Sequence, residues 1–426
     1  MRKTNTDEWG VIERMLPAGW REAAREQKAF QRARYATTPA SLLRLLLFHA
    51  VNDGGLRETV AQARVGGIAD MSSVALLKRL RTAGGWLAWL GAELCRPLRE
   101  QPRLPRGLRP RAVDGTTVQG PASKGTEWRI HYSLDLLTLQ CDWYDVTDAH
   151  GGERLERTPM QPGDVMLADR NYLRPAGVQA AVNAGAHVLA RLRWSHSAML
   201  DGRGRAFYAL TQARKLKVGR IGAWPVQLVV PQGRPVAGRV IATRLPAPVA
   251  ARSERRAVRS STKKGRTPDP RSLQAAHLVM IFTTLSDTQL APGAVLELYR
   301  SRWQIELAFK RLKQLLKLGR LPHKDSRAAK TWILAKLVVA LLLETLYRNA
   351  RTFSPWGYRL DESTPTATGT AGRPLAMDRR LHPRPATSPL PVARTRDADS
   401  QGRPRRTRTR PPRPSPRSPA PGRSPA

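Results

Sequence analysis

The stretch YRSRWQIELAFKRLKQLL, Tyr299 to Leu316, carries a single acid, Glu306, among Arg300, Arg302, Lys310, Arg311 and Lys313. Its apolar spacing predicts an amphipathic helix from about Pro292 to Leu318, closed by Gly319 at a C-cap. At about 100° per residue, Tyr299, Arg302, Glu306 and Lys313 fall within an arc of roughly 60° and form a stripe roughly 21 Å long. Leu298, Ile305, Leu312 and Leu316 share the opposing side, which packs inward. An acid in this setting has two readings: an i,i+4 partner for Lys310 or Arg302, or one member of a reactive group.

Two other acids bear on that choice. Asp114 ends a strand-like run and precedes Gly-Thr in VDGTT, and Asp169 ends another in MLADRNY. Each alone fits a turn or cap residue. Together with Glu306 they supply three carboxylates from two strand ends and a helix. Hard Mg²⁺ or Mn²⁺ takes oxygen ligands and keeps several waters, so a small carboxylate cluster suffices for it. Two such ions about 4 Å apart activate an attacking oxygen and stabilise a leaving one in phosphodiester displacement. In so basic a chain these acids are expected to stay ionised without help. The eight histidines are scattered without HxxxH spacing, and Cys95 and Cys141 offer no CxxC, so zinc chemistry has little support.

The elements that must position these acids follow from composition and patterning. At 426 residues the chain has room for two or three domains and a sizeable core. Its 73 Lys+Arg against 33 Asp+Glu, a net charge of +40, favours polyanionic partners, above all nucleic acid. Two cysteines give no disulfide framework, which fits a reducing cytoplasm and a nucleoid-associated protein. The polar start MRKTNTDEWG shows no signal peptide. The most apolar run, Trp332 to Leu346, is interrupted by Lys336 and reads as a buried helix, with no membrane span.

Residues 1–100 read as helical. Leu42, Leu43, Leu45, Leu46 and Leu47 form an apolar segment. A helix from Leu56 to Ala63, a turn at Gly66 and Gly67, a Ser72/Ser73 cap and a helix with Lys78, Arg79 and Arg81 follow. That order fits a helix-turn-helix reading a major groove, and equally a plain helical bundle with solvated arginines. After a Pro/Arg linker, RAVDGTTVQG, EWRIHYSLDL and CDWYDVTDA read as an antiparallel meander. DVMLADRNY, RPAGVQAAVNAG and HVLARLRW then read as strand, helix and strand. This is the order of an α/β, RNase H-like core, spanning 108–350. Within it, 195–276 reads as a basic, β-rich insertion holding the loose run RSERRAVRSSTKKGRTPDPR, and HLVMIFTTL returns to strand. Over 351–426 hydrophobic periodicity and lysine both vanish and Arg, Pro, Ser and Ala take over, the composition of a disordered tail. The abrupt change also fits translation of a GC-rich gene in a wrong frame, which an intact, well-patterned helix in another frame would support.

The spacing Tyr-x2-Arg-x3-Glu-x6-Lys at Tyr299, Arg302, Glu306 and Lys313 resembles the signature of bacterial DDE transposases of the insertion-sequence-four type. VDGT and ADRNY look like that family's motifs around its first two aspartates, and the resemblance covers roughly residues 20 to 350. It implies Asp114, Asp169 and Glu306 as catalytic, metal-binding acids, with two Mg²⁺ or Mn²⁺ ions. It implies Tyr299, Arg302 and Lys313 as phosphate contacts, and Arg170 and Tyr172 near DNA, Tyr172 equally as packing. The implied reaction is nicking of double-stranded DNA at transposon terminal repeats and strand transfer into target DNA, by a homodimer in a synaptic complex. Relatives that flip a base carry a tryptophan about twenty residues before the tyrosine. HLVMIFTTL has none, which leaves Met280, Trp194 or Trp224 for that task. Three other readings stand beside this one: a transposon-derived DNA binder without activity, an RNase H-like nuclease that never joins strands, and a basic nucleoid protein.

Overall fold

The structure, a computed structural model, describes residues 6–352 apart from 32–37, 53, 98–102, 122–124 and 232. The tail reading over 351–426 therefore lies almost wholly outside the described residues.

The centre is a nine-stranded mixed sheet among the described residues. In chain order its strands are β1 (Arg109–Gln119), β2 (Thr126–Asp135), β3 (Gln140–Asp148), β4 (Asp164–Ala168), β5 (His187–Arg191), β6 (Met199–Leu200), β7 (Ile221–Leu228), β8 (Val236–Arg244) and β9 (Leu278–Thr283). They lie in the order β3-β2-β1-β4-β5-β9-β8-β7-β6. The meander β1-β2-β3 is antiparallel, as its turns predict. β4 and β5 join parallel to β1, because a helix carries the chain back between them. β9, β8, β7 and β6 extend the sheet antiparallel. β4 is buried throughout, since both faces are covered: Val165 and Leu167 join one core cluster, Met166 and Ala168 another.

Among the described residues six helices precede the sheet: α1 (Thr6–Met15), α2 (Trp20–Glu26), α3 (Pro39–Val51), α4 (Leu56–Val65), α5 (Ser73–Thr82) and α6 (Gly84–Cys95). The Ser72 hydroxyl caps α5 by accepting from Ala75 N at 3.2 Å, and Gly67 supplies the left-handed turn residue after α4 at φ 65°. The leucine run of α3 is buried completely or nearly so. It packs on α13 (Ser326–Thr352), the helix expected at Trp332–Leu346. Lys336 is buried there, its ammonium 4.4 Å from the Trp332 ring centroid and donating to Leu316 O. Among the described residues, no helix is long and apolar enough to cross a membrane. The N-terminal helices share one core with β1–β3 and α13. Arg81, a candidate recognition-helix residue, is spent on Asp325 at 2.8 Å.

The remaining helices are α7 (Pro175–Asn183), α8 (Ala209–Ala213), α9 (Ala247–Thr262), α10 (Pro270–Ala276), α11 (Pro292–Arg300) and α12 (Trp303–Gln314). Two expectations need correction. The insertion is not simply β-rich: among the described residues it alternates strands with three helices, and the run read as loose, 252–271, lies up to Thr262 in the 16-residue α9. Arginine and alanine are good helix formers, so the basic composition hid a helix. The helix expected from Pro292 to Leu318 is two helices. Tight i→i−3 turns at Ser301 and Arg302 break it, with Arg302 N donating to Tyr299 O at 3.1 Å. α12 ends at Gln314, and the left-handed residue beyond it is Lys317 at φ 50°, not Gly319.

At the end of the sheet where β1 begins, Arg109 and Arg111 are buried with Asp135, Asp142 and Asp164. Asp142 accepts from Arg109 Nη2 at 2.7 Å and from Arg111 Nε at 2.6 Å. Removing its charge weakens charge-assisted hydrogen bonds to both guanidiniums, while Arg109 keeps Asp135 and Arg111 keeps Asp164, each at 2.8 Å. Asp142→Asn is therefore expected to cost about 1.5–3 kcal/mol, read as a fall in Tm of the purified protein.

Candidate active site

Register and pleat bring the first two acids together. Val113 pairs with Ala168 across the parallel β1–β4 ladder, so Asp114 and Asp169 follow side by side at the same edge. Alternation along the strands does the rest. Ala112 and Val113 point to opposite clusters, so Asp114 returns to the face of Ala112, and it sits directly opposite Tyr132 of β2. Tyr132 meets Phe309 of α12 edge-on at 5.7 Å. Ile305, Ala308, Phe309 and Leu312 are the buried side of α12, which fixes the helix over β1 with its first turn beside Asp114.

Arg302, at that first turn, bridges the acids. Its Nη1 lies 3.4 Å from Asp114 Oδ2 and its Nη2 donates to Glu306 Oε1. Asp114 Oδ1 also accepts from Gly115 N at 2.8 Å. Asp169 Oδ1 accepts from Asn171 N at 2.7 Å, so its turn-forming role and its place beside Asp114 coexist. The Tyr299 phenol is raised by burial, opposed by the charges of Arg302 and Arg191. Glu306 is solvent-facing, and Lys313 and Arg170 are exposed. Tyr172 is buried in the core beneath the acids, so packing is its role.

The sequence reading missed Glu153. Its carboxylate lies 3.4 Å from Arg129, and its charge raises the pKa of Asp114, as does that of Asp169. Gly115 makes room for it: a Cβ there would stand 3.1 Å from Glu153 Oε1. The glycine of VDGTT was the available signal. A second miss concerns ionisation. Burial is the largest influence on Asp114 and, with its acidic neighbours, pushes it to about 6 despite Gly115 and Arg302. The net charge of the chain does not reach into this partly buried edge.

The residues fit a hard cation in part. The three candidate acids, Asp114, Asp169 and Glu306, all offer carboxylate oxygens, and crowded acids favour a divalent charge. Among the described residues, however, no three His, Cys, Asp or Glu side chains are close enough to share one ion. Arg302 supplies the positive charge, between Asp114 and Glu306. Among the base-flipping candidates, Met280 is buried in the core, Trp224 packs near Phe207 at 6.2 Å, and Arg271 covers Trp194. Trp303, next to Arg302, is 43% exposed.

Asp114 in the middle of β1 and Asp169 just past β4 thus stand side by side, and Arg302 links Asp114 to a third acid on α12. Residues 105–342 match the family model of the transposase DDE domain, and the chain belongs to that family. It is 34% identical over 356 residues to the putative transposase InsL of insertion sequence element IS186A from Escherichia coli K12, covering 82% of this chain and 96% of that one. The transposase of element IS421, also from Escherichia coli, is 34% identical over 359 residues with the same coverage. A piggyBac transposase synaptic complex with hairpin DNA, solved by cryo-electron microscopy, aligns at a TM-score of 0.40 and 11% identity over 81% of this chain and 73% of that one. The protein is thus a transposase, an enzyme acting on DNA in transposition. Its family generally uses divalent metal ions.

Proposed function

We propose that Asp114, Asp169 and Glu306 are the catalytic acids of a DNA transposase of the insertion-sequence-four type. The observation that carries this is Arg302, which ties Glu306 of α12 to Asp114 of β1 although 188 positions separate Arg302 from Asp114. The strand order β3-β2-β1-β4-β5 supports reading 108–350 as an RNase H-like core with an insertion. Asp114 and Asp169 would hold divalent ions, Mg²⁺ or Mn²⁺ and two in number, and Glu306 would join them by giving up Arg302. Such ions supply activation of an attacking oxygen and charge stabilisation at the leaving one.

Everything else is the work of the chain itself. Arg302, once released, is placed to meet a phosphate at the same edge, and Tyr299 packs against it. Lys313 lies about two helical turns beyond Glu306 and grips the backbone further along. Trp303 offers the aromatic face for stacking that Met280 cannot. The substrates are double-stranded terminal repeats, nicked to free a 3′-hydroxyl that attacks target DNA, within a homodimeric synaptic complex. The helices of residues 1–100 share in holding the ends.

The test is incubation of purified protein with Mn²⁺ and duplexes carrying the element's terminal repeats. Nicked ends followed by strand-transfer products support the reading. Cleavage without joining makes the protein a nuclease, and binding without cleavage makes it a binder. Lys313→Ala is expected to weaken binding at all sequences and to lower the slope of log K against log salt by about one phosphate contact. An unchanged slope, measured by titration at several salt concentrations, removes Lys313 from the DNA path.

A further inference from the structure

The insertion leaves the sheet at the same edge as the acids. Ala168 of β4 pairs with Ala190 of β5, so Asp169 is level with Arg191. Arg191 pairs with Ile281 of β9, and Ile281 with Ile241 of β8. β8 runs in the same direction as β4 and β5, because β9 is antiparallel to both β5 and β8. Three residues beyond that row β8 ends at Arg244, and α9 departs; α10 returns the chain to β9. Leu245 N donating to His277 O at 2.9 Å closes the root of this arm. With strands about 4.8 Å apart, the root stands roughly 19 Å across the edge from Asp114.

α9 has two unlike sides. Arg252, Arg255, Arg256, Arg259 and Lys263 fall within an arc of roughly 100° and form a stripe about 16 Å long. All five are exposed, and none has an ion-pair partner among the described residues. The opposite side is anchored: Ala250 is buried, and Glu254 is engaged with His277 at 2.9 Å. The one acid of the helix is thus turned away from the stripe. A basic helix elsewhere on the molecule would read as an ordinary solvated face. This one is unneutralised, continuous and at the catalytic edge.

We propose that this stripe binds the phosphate backbone of the transposon-end duplex, on the segment next to the one that lies at Asp114, Asp169 and Glu306. The inference rests on the site reading above. Its physical basis is charge complementarity. Duplex DNA carries one charge per about 1.7 Å of axis, so five cations over about 16 Å face more phosphates than they can neutralise, and each contact releases counter-ions. A duplex end held at the acids has to continue somewhere, and α9 lies beside that path.

The test compares full-length protein with a variant carrying R252Q, R255Q, R256Q, R259Q and K263Q, and with a second variant carrying Lys at the four arginines. The probe is a terminal-repeat duplex of about 40 base pairs, titrated between 50 and 200 mM salt. The Gln variant is expected to lower the salt slope by about four and to lose hydroxyl-radical protection on the segment next to the cleavage site. The Lys variant is expected to keep both, which separates lost charge from a misfolded arm. An unchanged slope and footprint for the Gln variant overturns the proposal. So does intact end binding with loss only of strand transfer from pre-cut ends, which would give the arm to target DNA. Failure of the site reading shows separately, as normal nicking by Glu306→Gln with the arm untouched.

Discussion

Glu306→Gln is expected to lower single-turnover nicking of end-bearing DNA about a thousandfold or more while leaving binding nearly unchanged. The asymmetry follows from where the side chain sits. Its carboxylate is 60% exposed and negative, so it repels phosphate, and losing its charge removes no attraction to DNA. It also supports no core contact, since Ile305, Ala308, Phe309 and Leu312 hold α12 in place. What is lost is a charged oxygen at the edge where Asp114 and Asp169 stand side by side. Weakening a positioned divalent charge by several kcal/mol corresponds to a rate loss of that order. Nicking and affinity should be measured on one preparation, because the prediction is their separation. Normal nicking by this variant would move the third catalytic acid elsewhere, with Glu153 the first place to look.

Asp114→Asn is expected to abolish nicking yet make the protein more stable at neutral pH. Burial holds Asp114 at about 6, above the ordinary 3.8. Between those values the unfolded chain releases the proton and the folded chain retains it, so stability falls as pH rises from about 4 through 6. Above that window the full cost remains, on the order of 2–3 kcal/mol at pH 7; below pH 4 it is absent. Asn carries no charge to desolvate, so the variant should show a higher Tm at pH 7 and no gain at pH 4. A lower Tm at both pH values would mean that the Arg302 contact outweighs burial. An active site that costs stability in this way stores its strain as crowded charge.

The sequence was legible wherever a local rule operates. Turn residues and alternation mark β1, β2 and β3, and Ser72 marks the start of α5. Asp169 lies just beyond the end of β4, as its flanking residues predict, whereas Asp114 sits in the middle of β1, which runs on to Gln119 because it stays paired with β2. The spacing from Tyr299 to Lys313 carries the family resemblance. Where the sequence misled, a non-local contact had decided the outcome. The break at Ser301–Arg302 is invisible in residues that are all compatible with helix, and it turns Arg302 toward Asp114. α9 looked like a loose basic run because its anchor, His277 against Glu254, is 23 positions away.

The residues themselves set the enormous positive charge, the oxygen-only donor set and the division into helical start, mixed centre and lysine-free end, because these follow from composition and short-range spacing. Only the folded chain decided which acids are neighbours. Register between β1 and β4 sets Asp114 beside Asp169, packing of Phe309 on Tyr132 brings Arg302 and Glu306 to Asp114, and the Gly115 gap admits Glu153. The same sheet edge sends α9 out beside them. Adjacency across strands depends on contacts between residues distant in sequence, and no local pattern encodes those contacts.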